Sequence, residues 1–181
     1  NIEENYNNLV QILTDQKIQE NYSELKLLFN MITKIANYHH RSSNFFEKIS
    51  KIILIFQDEI FQLFSNTEIF QIFQSNKRLL LFLFEENLLK LNNSISQELA
   101  ADDDYFYYFY PELSSYNFVI PREPSKSTDL KIIDYIQSSP EEFNFKRRIG
   151  ENDDYLCKLI REDNIDNFIS YINKNSISVN S

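Results

Sequence analysis

A single glycine, Gly150, occurs among the 181 residues. Glycine is the residue that gives the backbone left-handed freedom and close approach to a ligand. A phosphate-cradling loop or a dinucleotide fingerprint takes two or three glycines at fixed spacing, so this chain can build neither. Proline is almost as sparse, with four copies and none before Pro111. Over residues 1–90 neither helix breaker is present, and helices there can end only through caps. Left-handed C-caps must then use Asn, and N-caps must use Asn, Ser or Asp. Asn is plentiful, with 21 copies beside 23 Ile, 16 Phe and 11 Tyr, against 3 Ala and no Trp. This bias toward AT-rich codons means that Asn abundance is partly mutational, so no single Asn reads as functional.

A mass of 21.7 kDa fits one compact domain or two small ones. Hydrophobic residues make up 43% of the chain, enough to bury a core and too many for a disordered tail. The 18 basic against 27 acidic residues give a net charge of −9. That argues against a nucleic-acid or anionic-membrane surface, which needs clustered Lys and Arg. One cysteine, Cys157, cannot form an internal disulfide. Residues Asn1 to Asn8 are polar and acidic, without a basic region leading into an apolar stretch. The longest apolar run, Leu79 to Phe84, is bracketed by Arg78 and Glu85 and falls far short of the ~20 residues of a membrane span. The expected location is the cytoplasm, and the missing initiator Met is read as the mark of an excised piece.

Residues 1–90 show helical periodicity almost throughout. Leu9, Ile12 and Leu13 recur at three and four, as do Leu25, Leu28, Phe29, Ile32 and Ile35, and then Phe45, Phe46, Ile49, Ile52, Ile53 and Phe56. Polar breaks with capping chemistry fall at Asn21, at Arg41-Ser42-Ser43, and at Ser65-Asn66-Thr67 ahead of Glu68. A pair of helices is expected over 68–74 and 77–91, joined by Ser75-Asn76. The second is apolar on all sides, which predicts burial between neighbours.

Residues 99–128 change character. Asp102-Asp103-Asp104 leads into Tyr105-Phe106-Tyr107-Tyr108-Phe109-Tyr110, and Pro111, Pro121 and Pro124 follow. The spacing predicts a short aromatic helix capped by acids, then an extended connection. Further helices are expected over 129–137, 140–147 (Pro140 in the first turn after Ser139), 153–162 and 165–174, with a short extended finger at Ile177 to Val179. The domain reading is an N-terminal helical region over 1–98, an irregular Tyr/Pro-rich connection over 99–128, and a helical region over 129–181.

Candidate chemistry is thin. His39-His40 are the only histidines, and neighbours on a helix point about 100° apart, so they do not chelate one metal; helix-end histidines near carbonyls are the expected role. Cys157 falls on the apolar side of its expected helix, where burial makes a thiol inert. The Asp102–Asp104 run lacks the alternation and the glycine of a calcium loop and reads as a solvated helix start. The Tyr/Phe run follows acids, not the positive groove that accompanies base stacking, so core packing or a protein-contact surface is expected. Lys146-Arg147-Arg148, the one basic cluster, suits the last turn of a helix. No catalytic, cofactor or metal site is expected.

The last 32 residues carry, in order, Asp154-Tyr155-Leu156-Cys157, Leu159-Ile160, Asp163-Asn164, Phe168 with Tyr171 and Ile172, and Val179-Asn180. This pattern resembles one ankyrin repeat, with those residues standing at the family's Thr-Pro-Leu-His start, small pair, Gly-His turn, packing positions and final Val-Asn. Cys157, Ile160, Asp163 and Asn175 depart from it, as suits a divergent terminal repeat. The runs 69–78 and 146–153 make the wider chain similar to the N-terminal helical region that precedes ankyrin repeats in Asn-rich protist proteins.

The resemblance implies a scaffold that binds proteins and catalyses nothing, with further repeats following Ser181. The architecture expected is an all-α helical-repeat (ankyrin-like) array of antiparallel helix pairs, roughly nine to eleven helices in all. The solvent-facing Lys158, Arg161 and Glu162 of the repeat's first helix are the implied partner contacts. The alternative is a stand-alone helical adaptor or inhibitor that binds through segment 105–110, with Tyr107 and Tyr110 as contacts. A hydrolase using carboxylates in a cleft is the weakest reading.

Overall fold

The computed structural model describes residues 2–15, 21–39, 43–116, 127–149 and 165–175. They form α1 (Ile2–Asp15), α2 (Tyr22–Tyr38), α3 (Ser43–Ile55), α4 (Gln57–Leu63), α5 (Asn66–Phe73) and α6 (Lys77–Glu85). Then come α7 (Asn93–Ala101), α8 (Asp103–Tyr108), α9 (Tyr110–Ser115), α10 (Ser127–Ser138), α11 (Pro140–Ile149) and α12 (Ile165–Asn175). The protein is all-α, and no strand occurs among the described residues. The described helices are more numerous and shorter than the periodicity predicts. Phe56 and Phe109 each leave helical geometry for one residue, which divides α3 from α4 and α8 from α9.

Caps set the boundaries. Asn21 accepts from Ser23 and Glu24 at the start of α2, Asn76 from Leu79 at α6, and Asn92 from Ile95 at α7. Ser65 and Glu68 form a reciprocal capping box on α5. Helix α6 stops at Glu85, six residues before the expected Leu91. The cause is Asn87, which takes the left-handed conformation at φ 59°. The Leu88 N–H bonds to the Leu83 carbonyl at 2.9 Å and the Asn87 N–H to that of Phe84 at 3.1 Å. This is the glycine-type helix stop, made with Asn in a stretch that has no glycine.

The chain divides into two compact units, Asn1–Ile149 and Gly150–Ser181. Helices α10 and α11 belong to the first unit, so the region expected over 129–181 divides at Gly150, where the repeat-like segment begins. Within the stretch expected to be an irregular connection, the structure places the end of α7 and all of α8 and α9, with Pro111 in the first turn of α9, where its missing N–H costs nothing. In the first unit α2 packs on α3 and α5, α5 on α6, and α6 on α11. Helix α11 packs on α10, α10 on α9, α9 on α8, and α8 on α7. The α6–α11 contact passes over four intervening helices, whereas an array of stacked repeats joins successive neighbours.

The core is aromatic at one centre and aliphatic around it. Phe29 lies 5.7 Å from the rings of both Phe64 and Phe73 and 6.2 Å from that of Phe56. Leu79, Leu80, Leu81 and Leu83 are buried, as the all-round apolar face of α6 requires. In the second unit the described element is α12, which carries exposed Ile165 and Ile169 one turn apart.

Candidate functional site

Two surfaces draw attention, and both grow out of helices with more apolar positions than one face can hold. The first is the aromatic run. Asp102 caps α8 by accepting from the N–H groups of Asp104 (2.9 Å) and Tyr105 (3.0 Å), so the acidic run is a solvent-exposed helix start. Phe106 and Phe109 are buried, and Tyr105, Tyr107, Tyr108 and Tyr110 pack half-buried against the core. Tyr110 sets its ring edge against Phe106, and its hydroxyl accepts from the Gln137 side-chain amide at 3.2 Å. Tyr107 packs edge-on against Phe106. The two tyrosines expected as partner contacts are therefore largely engaged within the fold.

This end of the first unit is fastened by charge. Arg147 is buried in the last turn of α11 and donates to both carboxylate oxygens of Glu112 on α9, at 2.6 and 2.7 Å. Its guanidinium also reaches the Tyr108 carbonyl (3.0 Å) and the Asn144 side chain (2.9 Å), and the Tyr108 hydroxyl returns a bond to the Arg147 carbonyl (2.8 Å). A planar fork of donors suits this arrangement, because it meets both oxygens of one carboxylate at once. Burial pushes the Tyr108 phenol well above its ordinary range, despite the opposing pull of Arg147 and Arg78. Arg148 pairs with Glu85 at 2.6 Å, and Arg78 donates to the Arg148 carbonyl while stacking over the Phe46 ring. The basic cluster does end a helix as expected. Its middle member, however, is a buried cross-link to a residue 35 positions away, and no spacing rule reports that.

The second surface lies on α1, α2 and α3. Tyr6, Leu9 and Leu13 of α1, Met31 and Ile35 of α2, and Phe45 and Ile49 of α3 line an open hollow of about 360 Å³. Its described polar members are Asn5 and Lys48, and the Lys48 ammonium sits 5.3 Å above the Tyr6 ring. The hollow runs onto an exposed apolar stripe. Leu27 is 62% exposed, Met31 51%, Ile35 41% and Tyr38 84%. Leu9 and Ile12 on α1 are also exposed, while their expected companion Leu13 is buried. Helix α2 thus has two apolar faces. Leu25, Phe29, Ile32 and Ala36 point inward; Leu27, Met31 and Ile35 point out. The four-residue spacing of the outer stripe was visible in the sequence, but Ile35 reads there as part of the inner face.

Asn37 near the end of α2 donates to the Ser75 hydroxyl and accepts from the Asn76 side chain, and the Tyr22 hydroxyl at the start of α2 donates to Glu68 on α5. That bond, the Ser65 hydroxyl and the Ser65 N–H hold the Glu68 carboxyl down at about 2. His39 closes α2 through its N–H to the Ile35 carbonyl and rests against Phe45. A smaller hollow of about 320 Å³ lies between α5, α7 and α8, with Glu98 and Asp102 on its wall. No group of three or more His, Cys, Asp or Glu that would hold a metal occurs among the described residues. No helix among them is long and apolar enough to cross a membrane. Lys158, Arg161, Glu162, Cys157, His40, the 153–162 helix and the 177–179 finger lie outside the described residues.

No family model, no curated protein and no solved structure matches the chain.

Proposed function

We propose that the chain is a non-catalytic protein-interaction module, a cytoplasmic helical platform belonging to an ankyrin-type scaffold, and that its binding face is the apolar side of α1, α2 and α3. The observation that carries this is the stripe Leu27, Met31, Ile35 and Tyr38, exposed beside an apolar hollow. Scattered surface apolar residues are ordinary, but a contiguous row opening into a groove marks a protein contact. A groove of this kind, between helices and nearly without polar groups, suits the apolar face of another helix. The scaffold part of the reading draws on the resemblance of residues 150–181 to a repeat. A Lys158→Glu/Arg161→Glu double variant tests that part by weakening partner binding while leaving the fold intact.

Met31 is the only methionine in the chain, and it sits in the middle of the stripe. Its conversion to sulfoxide by dilute peroxide therefore reports a single position. Oxidation should be slower by ~10-fold or more in the assembly isolated from the source cell than in the dilute purified chain, since a covered thioether is out of reach. Equal rates in the two would overturn the reading.

A further inference from the structure

The apolar core of the first unit runs from Leu13 on α1 to Leu113 on α9. Among the described residues, no apolar side chain of α10 or α11 belongs to it or is packed against it. Ile136 on α10 is buried, but apart from that core. The two helices close on each other, where the Tyr135 and Phe143 rings meet edge to face and Lys146 donates to the Tyr135 hydroxyl at 2.9 Å. Polar bonds reach from this hairpin to α6, α8 and α9. Arg147 forks onto Glu112 and exchanges bonds with Tyr108, Arg148 pairs with Glu85, and Gln137 donates to Tyr110. Arg78 on α6 adds a bond to the Arg148 carbonyl.

A contact of this kind parts differently from an apolar one. Parting it returns two guanidinium groups and two carboxylates to water, and their hydration offsets most of the lost attraction. Wetting an apolar surface has no such offset and costs about 25 cal/mol per Å². Segments with few buried apolar contacts open as cooperative pieces, below the free energy of global unfolding. Helices of 12 and 10 residues are marginal alone, so undocking frees their amides together. The latch also stands at a joint of the chain. Arg147 and Arg148 occupy the last turn of α11, and the second unit begins at Gly150.

We infer that α10 and α11 form a clasp, latched by charge over α6, α8 and α9, which opens as a piece while α2 to α7 stay folded. Opening it uncovers Tyr108, Glu85 and Glu112, a face that the closed molecule withholds. The clasp does not rest on the binding face of α1 to α3. Native-state hydrogen exchange of the full chain tests it. Glu112→Gln should raise the opening of α10 and α11 by ~100-fold, and Glu85→Gln, at the more exposed pair, by only ~3-fold. Ile53→Val in the core should speed the slowest amides of α2, α5 and α6 by ~5-fold and leave α10 and α11 unmoved, because Ile53 stays packed when the clasp opens. Nitration of Tyr108 by tetranitromethane, located by peptide mass mapping, should rise with Glu112→Gln and not with Ile53→Val. If Ile53→Val speeds α10 and α11 as much as the core, the hairpin opens only with the whole unit and the inference is overturned. Exchange in α10 and α11 indifferent to Glu112→Gln would overturn the latch, and unchanged Tyr108 nitration in that variant would overturn the uncovering.

Discussion

The two ends of the first unit are both rich in apolar residues, and they spend them differently. At the α8–α11 end, six successive aromatic residues are drawn into or against the core and are fastened by Arg147, Glu112 and the Tyr108 backbone. At the α1–α3 end, helix α2 keeps four apolar residues outside, Leu27, Met31, Ile35 and Tyr38, beside an open hollow. The conspicuous sequence is consumed by the fold, and the inconspicuous one stays exposed. What distinguishes them is the supply of polar anchors. Tyrosine brings a hydroxyl that can be satisfied at the edge of a core, so a Tyr-rich helix can bury its rings and still pair its polar atoms. The α2 stripe is aliphatic apart from Tyr38, and only added apolar surface can cover it.

The largest expected effect separates the two faces of α2. Phe29→Ala empties the aromatic centre and should cost about 4 kcal/mol in urea denaturation, while Met31→Ala should cost less than about 1 kcal/mol in the monomer. Similar losses would mean that the outer face is buried after all, and the contrast between the ends would vanish. Next is Glu112→Gln, which leaves the Arg147 guanidinium buried without its countercharge and should cost about 3 kcal/mol. Replacing both partners, as Arg147→Met/Glu112→Leu, should recover most of that loss; a single variant costing under about 1 kcal/mol would show that the pair does not hold α9 to α11.

A smaller effect is expected where the two ends meet. Asn87→Ala forces a Cβ without side-chain compensation into the left-handed stop of α6 and should destabilise by about 1 kcal/mol, whereas Asn87→Gly should not. Equal behaviour of the two variants would mean that the stop does not depend on φ. The smallest effect is a pH response of the open end. Glu68 is held at about 2 in the folded chain against 4.5 otherwise, so its contribution is complete above about 4.5 and is lost as pH falls toward 2. Tyr22→Phe removes the largest cause of that shift. The variant should therefore show a shallower loss of stability between pH 4.5 and 2 than the parent. An unchanged slope would mean that the Tyr22 bond does not fasten α2 to α5.

Much of the local structure could be read directly. The cap residues Asn21, Ser65 with Glu68, and Asp102 stand where helices begin, because capping is a contact between residues two or three apart. The burial of Leu79, Leu80, Leu81 and Leu83 followed from a helix apolar on every side. Asn is expected to serve as left-handed C-cap and as N-cap, and Asn87 ends a helix while Asn76 both caps α6 and donates to Asn37 at 2.7 Å. Asn66 goes further, exchanging two bonds with the backbone of Lys90. The signal for Asn87 was the lack of any glycine between two helices that had to part. The breaks at Phe56 and Phe109 gave no such signal, since both side chains are core aromatics that fit a continuous helix equally well.

The sequence by itself determined that this chain is helical, where most helices start, and that no glycine-built ligand loop exists in it. Periodicity and capping are local, so composition and spacing suffice for them. Only the tertiary structure decided which of two apolar faces of α2 is inside, that Arg147 is a buried cross-link and not a solvated helix end, and that the tyrosines of 105–110 are spent on the core. Each depends on what a distant helix places opposite, and burial is a property of the pair.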